Sequence, residues 1–382
     1  MRVQPRRDNL RMQESDLPGL TAQVLWAAFG LAVVFGAVAQ RTHFCTMGAV
    51  ADIVNIGDWT RMRMWLLAIA VAIAGFQAMS AAGWIDPRDT FYTADRLVWL
   101  SNALGGLLFG FGMVLASGCG SKTLVRIGGG SLKSLVVFFV LGLAAYATLR
   151  GITAVARVAT VDRAALTLPA GQDLPTLAAA AFGVARGTAS ALLGGLVAVA
   201  LAAFVFSRRE GRSAEVLLAG LAIGGVIAGT WWVSGVLGHL EEHPATLEEA
   251  FLATNSQRME SLTFVAPTAY VLDWLILFSD RSKVLTIGIV TTLGVIAGSA
   301  AVALAMRTFR WEGFAGPEDT ANHVVGGALM GIGGVTAMGC TVGQGITGLS
   351  TLAIGSLIAF AGIVAGAVAA LRWQVWRLER MA

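Results

Sequence analysis

The sequence predicts an all-α polytopic membrane protein of about nine transmembrane helices in two inverted repeats, with short re-entrant helices meeting at the membrane centre. Three observations point there. Apolar residues make up 56% of the 382 residues and charged residues only 13%, with a mean hydropathy of +0.72, whereas a soluble domain carries roughly 25% charged residues. The charges border apolar runs of about 20 residues, the length that crosses a bilayer as a helix. A Gly-rich stretch near residue 105 recurs near residue 326. The short alternating segments of a membrane barrel do not occur.

Taken in order, the expected spans are 20–40, 62–83, 97–117, 131–150, 178–206, 214–238, 283–306, 322–338 and 351–372. Between them, segments 43–56, 118–129, 262–277 and 339–349 are too apolar for ordinary loops and too short to cross. Such segments enter and leave by one face, and non-helical backbone at that depth must be buried in protein or line a cavity. A shift of 221 residues lays Gly105 on Gly326 and makes nine of the fifteen positions from 105 to 119 identical, ending with Cys119 on Cys340. The same shift weakly aligns Asp52 with Asp273, both read as structural caps or ion pairs.

The chain thus divides into a polar N-terminal tail (1–19), a first membrane repeat (20–150), a linker loop and central helix (151–213), a second repeat (214–372) and a basic C-terminal tail (373–382). The tail lacks the basic, apolar, cleavage-site order of a signal peptide. One odd linker helix turns the second copy upside down, an arrangement whose substrate site lies at the midplane. Positive residues favour the cytoplasm, which sets the C-terminus inside and the N-terminus outside. Cys45 and Cys119 then lie on segments entering from the cytoplasm and Cys340 on one entering from outside.

The chain has three cysteines, in His43-Phe-Cys-Thr-Met-Gly48, Ser117-Gly-Cys-Gly-Ser-Lys122 and Gly339-Cys-Thr-Val-Gly-Gln344, and each falls where a helix has to break. A half-helix starting there points free N–H groups at the midplane, a ready anion site. A thiol beside it adds a soft, weak donor. Together they suit a sulfur-bearing anion; the alternative is that each cysteine is a small buried apolar residue. Gly118, Gly120, Gly339 and Gly343 flank the thiols, where backbone needs special angles or close ligand approach. Lys122 and Arg126 either attract an anion or mark the cytoplasmic border. Thr341 and Gln344 either contact the ligand or cap backbone.

Other chemistry lacks support. The net charge of +4 forms no basic stripe for nucleic acid. Three cysteines make no disulfide framework, and no C-x-x-C pattern suggests a metal or haem, so no cofactor is expected. No phosphate-binding loop is present. His239-Leu-Glu-Glu-His243 matches H-x-x-E-H by chance, since Pro244 follows at once.

The three cysteine motifs, in this order and within a chain stretch from about 24 to 372, resemble the YeeE/YedE sulfur-transport family. The resemblance implies a bacterial inner-membrane protein that takes up thiosulfate, with inverted halves and re-entrant helices. It implies that Cys45, Cys119 and Cys340 line the path and pass the ion by S–H contacts. Some members are assigned to other sulfur or selenium species, and in some the imported ion goes to a cytoplasmic sulfur-carrier protein. The expected mechanism is non-enzymatic: thiosulfate meets Cys119 and Cys340, its oxygens held by N–H groups beside Gly118, Gly120, Gly339 and Thr341, then passes Cys45. Several weak sites let an ion move on where one tight site holds it. The alternatives are a membrane sulfurtransferase forming a cysteine persulfide, and a redox-sensing membrane subunit.

Overall fold

A computed structural model describes residues 14–380; most of the tail expected at 1–19 lies outside the described residues. The described residues are mostly helical, and among them eight helical segments are long and apolar enough to cross a membrane. The first runs through α1 (Leu17–Arg41) and α2 (Thr46–Ile56), followed by α3 (Thr60–Ala81). Then come α4 (Trp99–Leu115) with α5 (Gly120–Gly128), and α6 (Leu132–Arg150). Short α7 (Ile152–Ala159) and α8 (Leu174–Phe182) precede α9 (Arg186–Phe206). The second part holds α10 (Ala214–Trp232), α11 (Ala266–Ile276), α12 (Ile287–Ala305), α13 (Pro317–Thr336) and α14 (Ile354–Glu379).

Two differences from the expected spans have local causes. The span expected at 178–206 is two helices, because Gly183 takes a left-handed φ of 67° and ends α8. The span expected at 322–338 is α13, a helix of 20 residues that is not among the eight. Its first turn carries Glu318 and Asp319, and His323 is buried within it. Packed against both α4 and α6, this helix meets protein where others meet lipid. By contrast α9 turns Leu192, Leu196 and Val199 outward, an exposed apolar stripe at helical spacing. The stretch expected as a basic tail continues α14 as helix to Glu379. Two ribbons of two-residue strands, β1 (Arg96–Leu97) with β2 (Leu166–Thr167) and β3 (His239–Leu240) with β4 (Ala250–Phe251), tie the connecting loops.

Glycines set how the helices meet. A Cβ on Gly105 would lie 2.7 Å from the Gly333 carbonyl, and one on Gly112 would lie 2.7 Å from the Gly326 carbonyl. As one number rises the other falls, so α4 and α13 cross antiparallel with backbones nearly touching, the close approach that small residues permit. Gly106 and Gly110 meet α14 at Ala359 and Ile363, in step, so that pair is parallel. Gly327 and Gly331 meet α6 at Val137 and Leu141 in the same way. The glycines of these two parallel pairs correspond under the 221-residue shift, and their partners on α6 and α14 correspond to within one residue. Gly224 against Ala68 and Gly75 against Ala228 likewise bring α10 alongside α3, while Gly298 against Val33 brings α12 alongside α1.

Candidate functional site

The three cysteines sit at one recurrent backbone device. Each helix before a cysteine ends on a left-handed residue: His43 (φ 52°), Ser117 (φ 55°) and Met338 (φ 61°). The next amide then donates back to the helix: Phe44 to Ala39 O at 3.2 Å, Gly118 to Met113 O at 2.8 Å, Gly339 to Gly334 O at 2.8 Å. This is the closing bond of a Schellman motif. The cysteine follows in extended conformation as N-cap of α2 (Cys45) and of α5 (Cys119), and Cys340 opens the helical stretch 341–350, wound as π-helix over Gly343–Gly348. The special angles expected at Gly118, Gly120, Gly339 and Gly343 therefore fall on non-glycine neighbours. The four glycines serve contacts instead, most tightly Gly343, whose Cβ would lie 2.4 Å from the Thr263 hydroxyl.

Holding Ser117 left-handed costs about 1–2 kcal/mol. Ser117→Gly is therefore expected to leave thermal unfolding in detergent unchanged or raised, while Ser117→Val lowers it, since a β-branched residue tolerates this region least. A melting curve followed by light scattering checks both.

All three thiols are buried. The Gly48 amide donates to the Cys45 sulfur (3.4 Å) and the Gly343 amide to the Cys340 sulfur (3.3 Å). Sulfur is a weak acceptor, and Ser, Thr, Asp or Asn is the favoured residue at an N-cap. The Cys119 sulfur closes no cap bond of good geometry, though the Lys122 amide is directed at it; it lies 3.3 Å from the Ser121 hydroxyl and in side-chain contact with Cys45. Thr341, the residue after Cys340, sits beside the Cys119 sulfur from the other side. It closes no hydrogen bond of good geometry, so its buried hydroxyl has no partner among the described residues. Cys340, Thr341, Cys119 and Cys45 thus form a continuous series of small polar groups.

The remaining expected residues divide. Lys122 is half-buried close to Cys45 and Cys119, and its ammonium forms no salt bridge among the described residues. Gln344 donates from Nε2 to the Ala337 carbonyl (2.6 Å), capping the end of α13 across the break, while its buried Oε1 is unpartnered among the described residues. The amides of Gly118 and Gly339 are spent in their Schellman bonds. The free donors at these helix starts are instead those of Gly120 and Ser121 and of Thr341 and Val342, by helix geometry. Asp52 pairs with Arg61 (2.7 Å), and Asp273 with Lys283 (2.6 Å) and Tyr146 (2.9 Å), as structural contacts. His239 pairs with Glu249 at 2.7 Å, and no metal-ligand cluster occurs among the described residues.

A cavity of about 360 Å³ leads to this series without touching any thiol. Its lining includes Arg96, Arg157, Asp162, Glu260, Thr263 and Gly339. Arg157 pairs with Asp162 at 3.0 Å, and Arg96 donates to the Asp162 carbonyl at 2.7 Å. Thr263 lies 3.9 Å from the Cys340 sulfur, so the cavity ends one contact short of the first thiol. The next residue, Phe264, packs its backbone over Gly120 and its ring on Phe35. Thr263, Phe264, Glu260 and the two arginines were not singled out from the sequence. The only signal for the first two was the 221-residue shift, which sets Ala266 opposite Cys45 in the break without a thiol.

The chain is similar to known proteins over most of its length. The family described as Sulphur transport matches residues 41–369. The thiosulfate transporter TsuA of Escherichia coli (strain K12) is 28% identical over 319 residues, 82% of this chain and 84% of that protein. The thiosulfate transporter TsuA of Spirochaeta thermophila is 25% identical over 352 residues, 88% of this chain and 94% of that protein. With the match covering most of its length, this multi-pass membrane protein belongs to the sulphur transport family, a family of transporters and not of enzymes.

Proposed function

We propose that this chain takes up thiosulfate across a bacterial inner membrane, by passing the ion along Cys340, Cys119 and Cys45. The observation that carries the reading is the thiol series itself: three buried sulfurs at three helix starts, where oxygen side chains would cap better. The ion collects in the cavity, attracted by Arg96, whose charge is paired with no carboxylate among the described residues, and reaches Cys340 past Thr263. Its oxygens are held by the free amides of Gly120, Ser121, Thr341 and Val342, its terminal sulfur by S–H contacts, with Thr341 and the free Gln344 oxygen orienting neighbouring donors. Gly118 and Gly339 shape the breaks. Lys122 draws the dianion onward beyond Cys45, toward a cytoplasmic sulfur-carrier protein. No site is tight, which lets the ion leave.

The same reading takes the two halves as inverted repeats, with α2, α5, α11 and the 341–350 turns as re-entrant pieces. The antiparallel crossing of α4 and α13, and the matched parallel pairs on either side of it, support that. The cavity opens outward, the N-terminus is outside and the C-terminus cytoplasmic, following the basic residues at the end of α14. The test uses a bacterial strain without thiosulfate uptake of its own, given thiosulfate as sole sulfur source. Growth is expected only when this gene is expressed; no growth with the protein present in the membrane rejects the reading.

A further inference from the structure

Glu260 is the one acidic side chain in the cavity lining besides Asp162, and the two are held differently. Asp162 is neutralised by Arg157, and its other carboxylate oxygen accepts from Ser101 at 2.6 Å. Glu260 has no salt bridge among the described residues. Its carboxylate accepts from the Ser256 hydroxyl (3.2 Å) and the Asn255 amide (3.4 Å) of its own loop, with the Ser256 amide also directed at it. The loop is pinned from the side of α10, because Ser234 donates to the Glu260 carbonyl at 2.6 Å. That bond fixes the Glu260 backbone beside the cavity that its side chain lines.

The groups that face it are few. From α11 comes Tyr270, and from the loop before β1 comes the buried Tyr92; both feel its charge. Asp89 belongs to that second loop too, and its carbonyl accepts from the Met259 amide. On its own loop, Arg258 is turned to the Thr90 carbonyl (3.4 Å). Arg96 and Arg157, across the cavity, are both committed to Asp162. Among the described residues no cation pairs with Glu260, and Ser261 and Thr263, one and three residues further on, line the same cavity toward Cys340.

An ionised carboxylate lining the cavity repels a dianion on its route, in surroundings of low dielectric where like charges interact strongly. A protonated one does not, and its O–H becomes a donor for a thiosulfate oxygen. We propose that Glu260 is a proton-binding site of the transport path, and that the anion passes from the cavity to Cys340 only when this carboxyl carries a proton from the outer solution. The inference rests on the transport reading above. Withdrawal of the carboxyl from bulk water is the largest influence on its titration and pushes it up to about 7, against weaker lowering by the Asn255 and Ser256 donors. The site is then neutral on the acid side of that value and charged on the alkaline side.

The experiment reconstitutes the full chain in phospholipid vesicles and measures uptake of labelled thiosulfate at varied external pH. Wild-type uptake is expected to fall about tenfold between about pH 6 and about pH 8, following the protonated fraction. Glu260→Gln, permanently neutral, keeps its uptake across that range. A wild-type profile that does not fall overturns the proposal by itself, whether or not the variant folds. A Glu260→Gln profile that falls with the wild type's also overturns it. Glu260→Asp gives an independent reading: the shorter, more acidic carboxyl moves the fall to lower pH, and an unmoved fall counts against Glu260. Absence of wild-type uptake at every pH instead rejects transport of thiosulfate, and the proposal with it.

Discussion

Replacing Cys119 with alanine is expected to cut thiosulfate uptake about 10- to 100-fold while leaving the protein folded. The magnitude follows from the interaction removed: a hydrogen bond to a charged group contributes about 1.5–3 kcal/mol, and each 1.4 kcal/mol is about a factor of ten in rate. Cys119 should be the most sensitive of the three for a geometric reason. The sulfurs of Cys45 and Cys340 each accept a well-formed N–H bond of their own helix, whereas the Cys119 sulfur makes no such well-formed bond and meets Cys45, Ser121 and Thr341 at once. It is the joint of the series, so its loss interrupts passage from either side. Cys45→Ala and Cys340→Ala should lower uptake less and also lower the melting temperature slightly, since each removes a cap. Cys119→Ser separates shape from chemistry. The hydroxyl fits the space and can still pair with Ser121, so stability should hold, yet a hard oxygen is a poorer partner for a terminal sulfur and uptake should stay low. Initial rates of labelled thiosulfate uptake into cells, normalised to membrane protein, check the set; normal rates in all the alanine variants reject the thiol series as the path.

How much of this site was legible beforehand depends on what each residue must do locally. The breaks at Cys119 and Cys340 were readable because both follow Gly-rich helices of matching sequence. The backbone device at those breaks was not, because its left-handed angle falls on Ser117 and Met338, which carry no conformational signature, and glycine was the natural suspect. The antiparallel crossing of α4 and α13 was implicit in the repeat, whereas the division of 178–206 into α8 and α9 turned on the single angle at Gly183. The cavity was invisible for a different reason. Glu260, Arg96 and Arg157 come from three connecting segments that meet only in the fold, and no one of them carries a motif that marks a site. Thr263 and Phe264 complete the site from the one break that lacks a cysteine, so a search led by thiols passes over them.

The second large effect concerns the crossing that holds the site together. Gly105→Val and Gly333→Val are each expected to destabilise the protein severely, and by similar amounts. A Cβ on Gly105 would lie 2.4 Å from the Ala337 nitrogen, and one on Gly333 would lie 2.5 Å from the Phe109 nitrogen. The obstacles are backbone atoms inside helices, which cannot rotate aside as a side chain can, so α4 and α13 must separate. Overpacking of a tight core costs about 1–3 kcal/mol, and a branched side chain between two backbones belongs at or beyond the upper end. Gly195→Val is the control: that glycine lies on α9 with nothing within 4 Å of a built Cβ, and its melting temperature should stay near the wild type's. Transport should fail before folding does. Gly105 lies against Ala337 and Gly326 against Ala116, so the two ends of the crossing are the very turns that lead into Cys340 and Cys119. A helix pair pushed apart there carries the sulfurs apart with it. The smaller Gly105→Ala should therefore lower uptake at a temperature where the protein remains folded. If Gly105→Val instead melts and transports like Gly195→Val, the crossing does not set the spacing of the thiols.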